Sequence, residues 1–118
     1  HLHKTGALLS ACVITGALIG NADDTLITAL RTYARGIGLA FQIIDDILDI
    51  TASSEVLGKT AGKDLLADKT TYPKLLGLEE SRKRADDLVK EAKEALQPWS
   101  DQAMPLLALA DFITSRDR

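Results

Sequence analysis

The stretch Phe41-Gln42-Ile43-Ile44-Asp45-Asp46-Ile47-Leu48-Asp49-Ile50 decides how the chain is read. Wound as a helix at about 100° per residue, it sets Gln42, Asp45, Asp46 and Asp49 within an arc of about 100°, and Phe41, Ile43, Ile44, Ile47 and Leu48 over the rest. The result is a narrow polar stripe on an otherwise apolar rod. An acidic stripe is ordinarily the solvent-facing strip of a core helix. Here, however, no Lys or Arg stands three or four residues from any of these acids. Carboxylates about 6 Å apart repel by roughly 3 kcal/mol per pair at an effective dielectric near 20. Keeping Asp45, Asp46 and Asp49 together points to a field used to hold cations. Hard carboxylate oxygens, with no thiolate or imidazole cluster and no calcium-loop spacing, suit Mg²⁺, which takes one or two carboxylates, keeps water and completes its shell with phosphate oxygens.

Outward from this stretch the helical period continues. Leu26, Ile27, Leu30, Tyr33, Ile37, Phe41, Ile44 and Leu48 predict one long helix over 24–50, with a bend expected near Gly36 and Gly38. Asp23-Asp24 offers its N-terminal cap. Before it, Leu8, Leu9, Cys12, Val13, Ala17 and Leu18 predict a helix from Thr5 to Ile19, read as buried and stopped by Gly20-Asn21. The β-branched run Val13-Ile14-Thr15 leaves a strand as the alternative.

Downstream, residues 51–68 read as a loop with at most a short helical turn. Pro73 suits the first turn of a short helix that Gly77 ends. Ala85, Leu88, Val89, Ala92 and Leu96 restore the stripe over 79–96 until Pro98 stops it. A last helix over about 101–115 sets Met104, Leu107, Ala110 and Ile113 on one side. Without alternating strands, hairpin dipeptides or repeats, the fold class is all-α: an antiparallel helical bundle or half of one.

A chain of 118 residues holds one modest domain, and 46% hydrophobic with 26% charged residues is the balance of a folding globular protein. A net charge of −3 gives no global positive field for nucleic acid or an acidic membrane. The apolar run over 6–19 falls short of the roughly 20 residues that span a bilayer, so no stable membrane insertion is expected. Cys12 has no second thiol to pair with, and two histidines make no zinc set, which favours a reduced, intracellular setting. The first residue reads as a cut through a longer protein, since a helix is already under way by Thr5.

Phosphate-reaching cations accompany the acids: Lys4 beside Thr5, and Lys59, Lys63 and Lys69 in the glycine-bearing loop after the acidic helix. A single surface lysine is usually solvated decoration. Clustered around an acidic helix, the four suit a bound diphosphate.

The run Phe41-Gln42-Ile43-Ile44-Asp45-Asp46-Ile47-Leu48-Asp49 resembles the second aspartate-rich motif of trans-isoprenyl diphosphate synthases. Lys4-Thr5 resembles their Lys-Thr pair and Gly58-Lys59 their Gly-Lys. Asp64 and Lys69 resemble the acid and base that follow, and Thr71-Tyr72-Pro73 the Thr-Tyr-Pro of the farnesyl and geranylgeranyl branch. The ending Ala110-Asp111-Phe112-Ile113-Thr114-Ser115-Arg116 is similar to their last helix.

The resemblance implies an all-α prenyltransferase of the isoprenoid synthase fold, usually a homodimer, with residues 1–118 forming the C-terminal portion of one larger domain. Asp45, Asp46 and Asp49 would bind Mg²⁺ and Gln42 would orient that shell. Lys4, Lys59 and Lys69 would contact the allylic diphosphate with help from Thr5, and isopentenyl diphosphate would be the second substrate. The family's first aspartate-rich motif is absent from these residues, so the chain alone is expected not to turn over. A bacterial cytoplasm or a plastid would suit it. The competing readings are a non-catalytic helical subunit that binds such an enzyme, a class I terpene cyclase, whose second metal motif and lysine loop would differ, and a plain helical interaction module.

Overall fold

The structure of the chain, a computed structural model, describes residues 2–55 and 71–116, with side chains over 4–52 and 71–116. The described residues form five α-helices and no strand: α1 (Ala7–Ile19), α2 (Asp24–Glu55), α3 (Tyr72–Leu76), α4 (Leu78–Ala95) and α5 (Met104–Ser115). A π-helical turn, Leu2–Gly6, leads directly into α1, and a 3₁₀ turn, Gln97–Trp99, follows α4.

The α1–α2 connection is tight because its polar groups are satisfied locally. Ala22 N–H donates to the Ala17 carbonyl at 2.9 Å and Asn21 N–H to that of Leu18 at 3.2 Å. This is a Schellman ending, with Asn21 in the left-handed conformation at φ 58° where glycine is commoner. The Asp23 carboxylate then accepts from Leu26 N–H at 2.8 Å and caps α2. The strand alternative for Val13-Ile14-Thr15 does not materialise: these residues lie inside α1.

The 32-residue helix α2 is the axis of the molecule, packed by α1, α3, α4, α5 and the π turn. Tyr33, Ala34, Ile37, Ala40, Ile43, Ile44 and Ile47 are its buried face. Ala85, Leu88, Val89 and Ala92 of α4, with Leu96 beyond it, complete the main interface. The two glycines of α2 serve close approach. A Cβ on Gly36 would meet the Leu88 carbonyl at 3.0 Å and the Ala92 Cβ at 3.1 Å, so only hydrogen lets α4 lie this near. Opposite, a Cβ on Gly38 would meet the Gly6 Cα at 3.2 Å. The assigned helix runs unbroken through both positions and continues to Glu55, past the expected end at Ile50.

Thr71 caps α3 by accepting from Lys74 N–H at 3.4 Å, and Gly77 at φ 85° ends it. The buried Tyr33 hydroxyl donates to the Leu106 carbonyl at 2.7 Å and ties α5 to α2. Two expectations need correcting. α5 starts at Met104, and Met104 is exposed, because Ala103, Leu107, Ala110 and Thr114 fall within about 60° of one another at 100° per residue and Met104 does not. α1 is not a buried helix: of its residues only Ala17 is buried, while Leu18 is 61% and Ile19 81% exposed. Its apolar residues surround the axis rather than forming one stripe, so a single neighbour, α2, covers few of them. No helix of the described residues is long and apolar enough to cross a membrane.

Candidate functional site

The rotation of α2 about its own axis is set by Ile43, Ile44 and Ile47, all fully buried. With these facing inward, Gln42, Asp45 and Asp46 sit half-buried at the edge of the core, and Asp49 stands in solvent. Gln42 Nε2 donates to Asp46 Oδ1 at 3.5 Å, a long contact at the i, i+4 spacing. Gln42 thus lies against one of the acids.

Asp45 is not left without a counter-charge. Arg116, just past α5, brings its Nη1 to 3.0 Å from Asp45 Oδ1. Its Nη2 donates to the Phe41 carbonyl at 3.4 Å, and the guanidinium carbon lies 4.3 Å from the Phe41 ring centroid. Ion pair, hydrogen bond and stacking together hold the planar group in one place. The expectation of acids with no neutralising cation holds within α2 and fails in the folded chain. The counter-ion arrives from a residue 71 positions further on, beyond the reach of any local spacing rule. Arg116 is the residue that sequence reasoning missed.

Lys4 and Thr5 lie in the π turn, Lys4 exposed and Thr5 half-buried. The Gly6–Gly38 approach seats this turn on α2 one helical turn before Gln42. A π turn within a helix is rare and is frequently found at functional positions. Lys59, Lys63, Asp64 and Lys69 lie outside the described residues. Thr71 and Pro73 act structurally, as the cap and buried first turn of α3.

Carboxylate oxygens at the rim of an apolar core fit a hard divalent cation in donor chemistry. Among the described residues no three His, Cys, Asp or Glu side chains gather into a set that could hold a metal ion by themselves. Away from the stripe, burial pushes the Tyr33 hydroxyl up to about 12, so it remains a donor to Leu106.

The chain is 57% identical over 116 residues to a dimethylallyltranstransferase of Fischerella ambigua (strain UTEX 1903), covering 98% of this chain and 34% of that protein. It is 57% identical over 118 residues to a chloroplastic geranylgeranyl pyrophosphate synthase of Catharanthus roseus, covering 99% and 33%. The crystal structure of an FPP/GFPP synthase from Zymomonas mobilis superposes with a TM-score of 0.75 at 37% identity, over 94% of this chain and 34% of that one. The chain therefore spans about a third of the length of the relatives it matches, and its helices share the all-α fold of that synthase. The family model described as polyprenyl synthetase matches residues 1–104, a span that takes in the π turn, the acidic stripe and α4, and the chain belongs to that family.

Proposed function

We propose that this chain is the diphosphate- and metal-binding part of a prenyltransferase that joins isopentenyl diphosphate to an allylic diphosphate, giving a short-chain product of the farnesyl or geranylgeranyl class. The observation that carries the reading is the acidic stripe of α2, Asp45, Asp46 and Asp49, in a member of the polyprenyl synthetase family.

In the proposed reaction the allylic carbon–oxygen bond breaks, diphosphate departs with the electron pair, the isopentenyl double bond attacks the allylic cation, and a proton is lost. Bound Mg²⁺ would supply charge stabilisation to the departing diphosphate. The chain's own residues do the rest. Asp45, Asp46 and Asp49 hold the cation side of the site, and Gln42 fixes the Asp46 carboxylate. Lys4, Thr5, Lys59 and Lys69 offer donors to the diphosphate oxygens, placing positive charge where negative charge develops. The apolar residues that α1 leaves exposed suit packing against the remainder of an enzyme about three times this length, and a homodimer is the assembly we propose for it.

The test is product formation from isopentenyl and allylic diphosphates with Mg²⁺. Full-length protein should turn over and Asp45→Asn should lose more than about 100-fold, whereas residues 1–118 alone should show no steady turnover. A full-length protein that binds neither Mg²⁺ nor diphosphate would be a scaffold, and the proposal would fall.

A further inference from the structure

We propose that Arg116 is a positioning residue of the acidic site, a resident counter-ion that holds Asp45 until divalent cation and diphosphate arrive together. The inference rests on reading the stripe as a metal and diphosphate site.

Besides the donation of its Nε to the Ile113 carbonyl of α5 at 3.4 Å, Arg116 is anchored to α2 by three contacts: 3.0 Å to Asp45 Oδ1, 3.4 Å to the Phe41 carbonyl, and 4.3 Å from its carbon to the Phe41 ring centroid. Its side chain is only 21% exposed and that of Asp45 37%, so neither group swings freely in solvent. A side chain held only by its charge would show the first contact without the other two. The Phe41 ring and carbonyl keep the guanidinium at the stripe whether or not Asp45 needs it.

A divalent ion approaching alone must displace this group from Asp45 or share the carboxylate with it, and both weaken its binding. Diphosphate changes the balance. Its oxygens accept from a guanidinium in the planar, forked manner that suits arginine. Arg116 then exchanges one anion for another instead of being stranded. Metal and diphosphate binding are thereby coupled, and by linkage each strengthens the other by the same factor.

The experiment measures Mn²⁺ affinity of the full-length protein by calorimetry, with and without inorganic pyrophosphate. Wild type should bind Mn²⁺ weakly alone and at least about tenfold more tightly with pyrophosphate. Arg116→Met keeps an apolar stem on Phe41 but no charge. It should bind Mn²⁺ alone about tenfold more tightly than wild type, and pyrophosphate should then add little. Arg116→Lys should restore the coupling. Phe41→Leu, which loosens Arg116 without removing its charge, should move Mn²⁺ affinity the same way by a smaller factor, and decides the matter if Arg116→Met does not fold. Unchanged or weaker Mn²⁺ binding in the charge-free variant overturns the proposal while leaving the metal site intact. A wild-type protein that takes up no Mn²⁺ under either condition overturns the underlying reading as well.

Discussion

Tyr33 and Gln42 show how single side chains divide the work between fold and site. Tyr33 is fully buried and donates to the Leu106 carbonyl, and burial pushes its hydroxyl from the ordinary 10.0 up to about 12. A raised value in the folded state means that its contribution is complete below pH 10 and is lost as pH climbs through about 12. Tyr33→Phe is therefore expected to cost about 1 kcal/mol near neutral pH, from the lost hydrogen bond, and to unfold with a shallower pH dependence in that alkaline window. Denaturant midpoints measured from pH 8 to 12 check both. Gln42 carries no core burden; its amide touches Asp46. Gln42→Ala should leave the melting temperature nearly unchanged and lower Mn²⁺ affinity of the full-length protein about 10- to 100-fold. Equal affinity in the two proteins would remove Gln42 from the site. At this scale the acids and the glutamine were legible from helical phase alone. Arg116 was not, because its partner is set by how α5 docks on α2, a tertiary fact that no spacing along one helix encodes.

At the scale of elements, the deciding contact is between α2 and α4. Gly36 permits it: the Leu88 carbonyl and Ala92 Cβ occupy the space a side chain would need. Gly36→Val should cost about 2 to 3 kcal/mol, since overpacking against backbone outweighs any gain in helix propensity. Urea denaturation of the chain gives this directly, and an unchanged midpoint would mean that α4 yields without penalty. Sequence periodicity located α2 and α4 to within a few residues because each has one apolar face. It gave a poorer account of α5, where Met104 was assigned inward: an apolar residue near a helix start reads as part of the stripe until the start is fixed, and fixing it at Met104 puts Ala103 and Thr114 inside instead. It also mistook α1 for buried. A run of apolar residues reports what the chain avoids, not what is present to cover it.

Over the whole molecule, two sides of α2 are occupied and the outer side of α1 is open, with Leu8, Leu18 and Ile19 its exposed large apolar residues. The pair Leu18→Glu and Ile19→Lys should change the stability of residues 1–118 by no more than about 0.5 kcal/mol, as surface substitutions do. In full-length protein the same pair is expected to cost several times as much, and parallel melts of the two forms make the comparison. Equal small effects in both would mean that this face stays open in the complete protein. The topology has a practical corollary. The π turn meets α2 at Gly38, while Arg116 meets it at Phe41 and Asp45, so both ends of the described chain converge within about 10 Å along one helix. On a fragment cut after Arg118, a purification handle at that end begins only two residues beyond Arg116. A polyhistidine there would bring its own imidazoles beside the stripe, so cation titrations belong on protein from which any such handle has been cleaved.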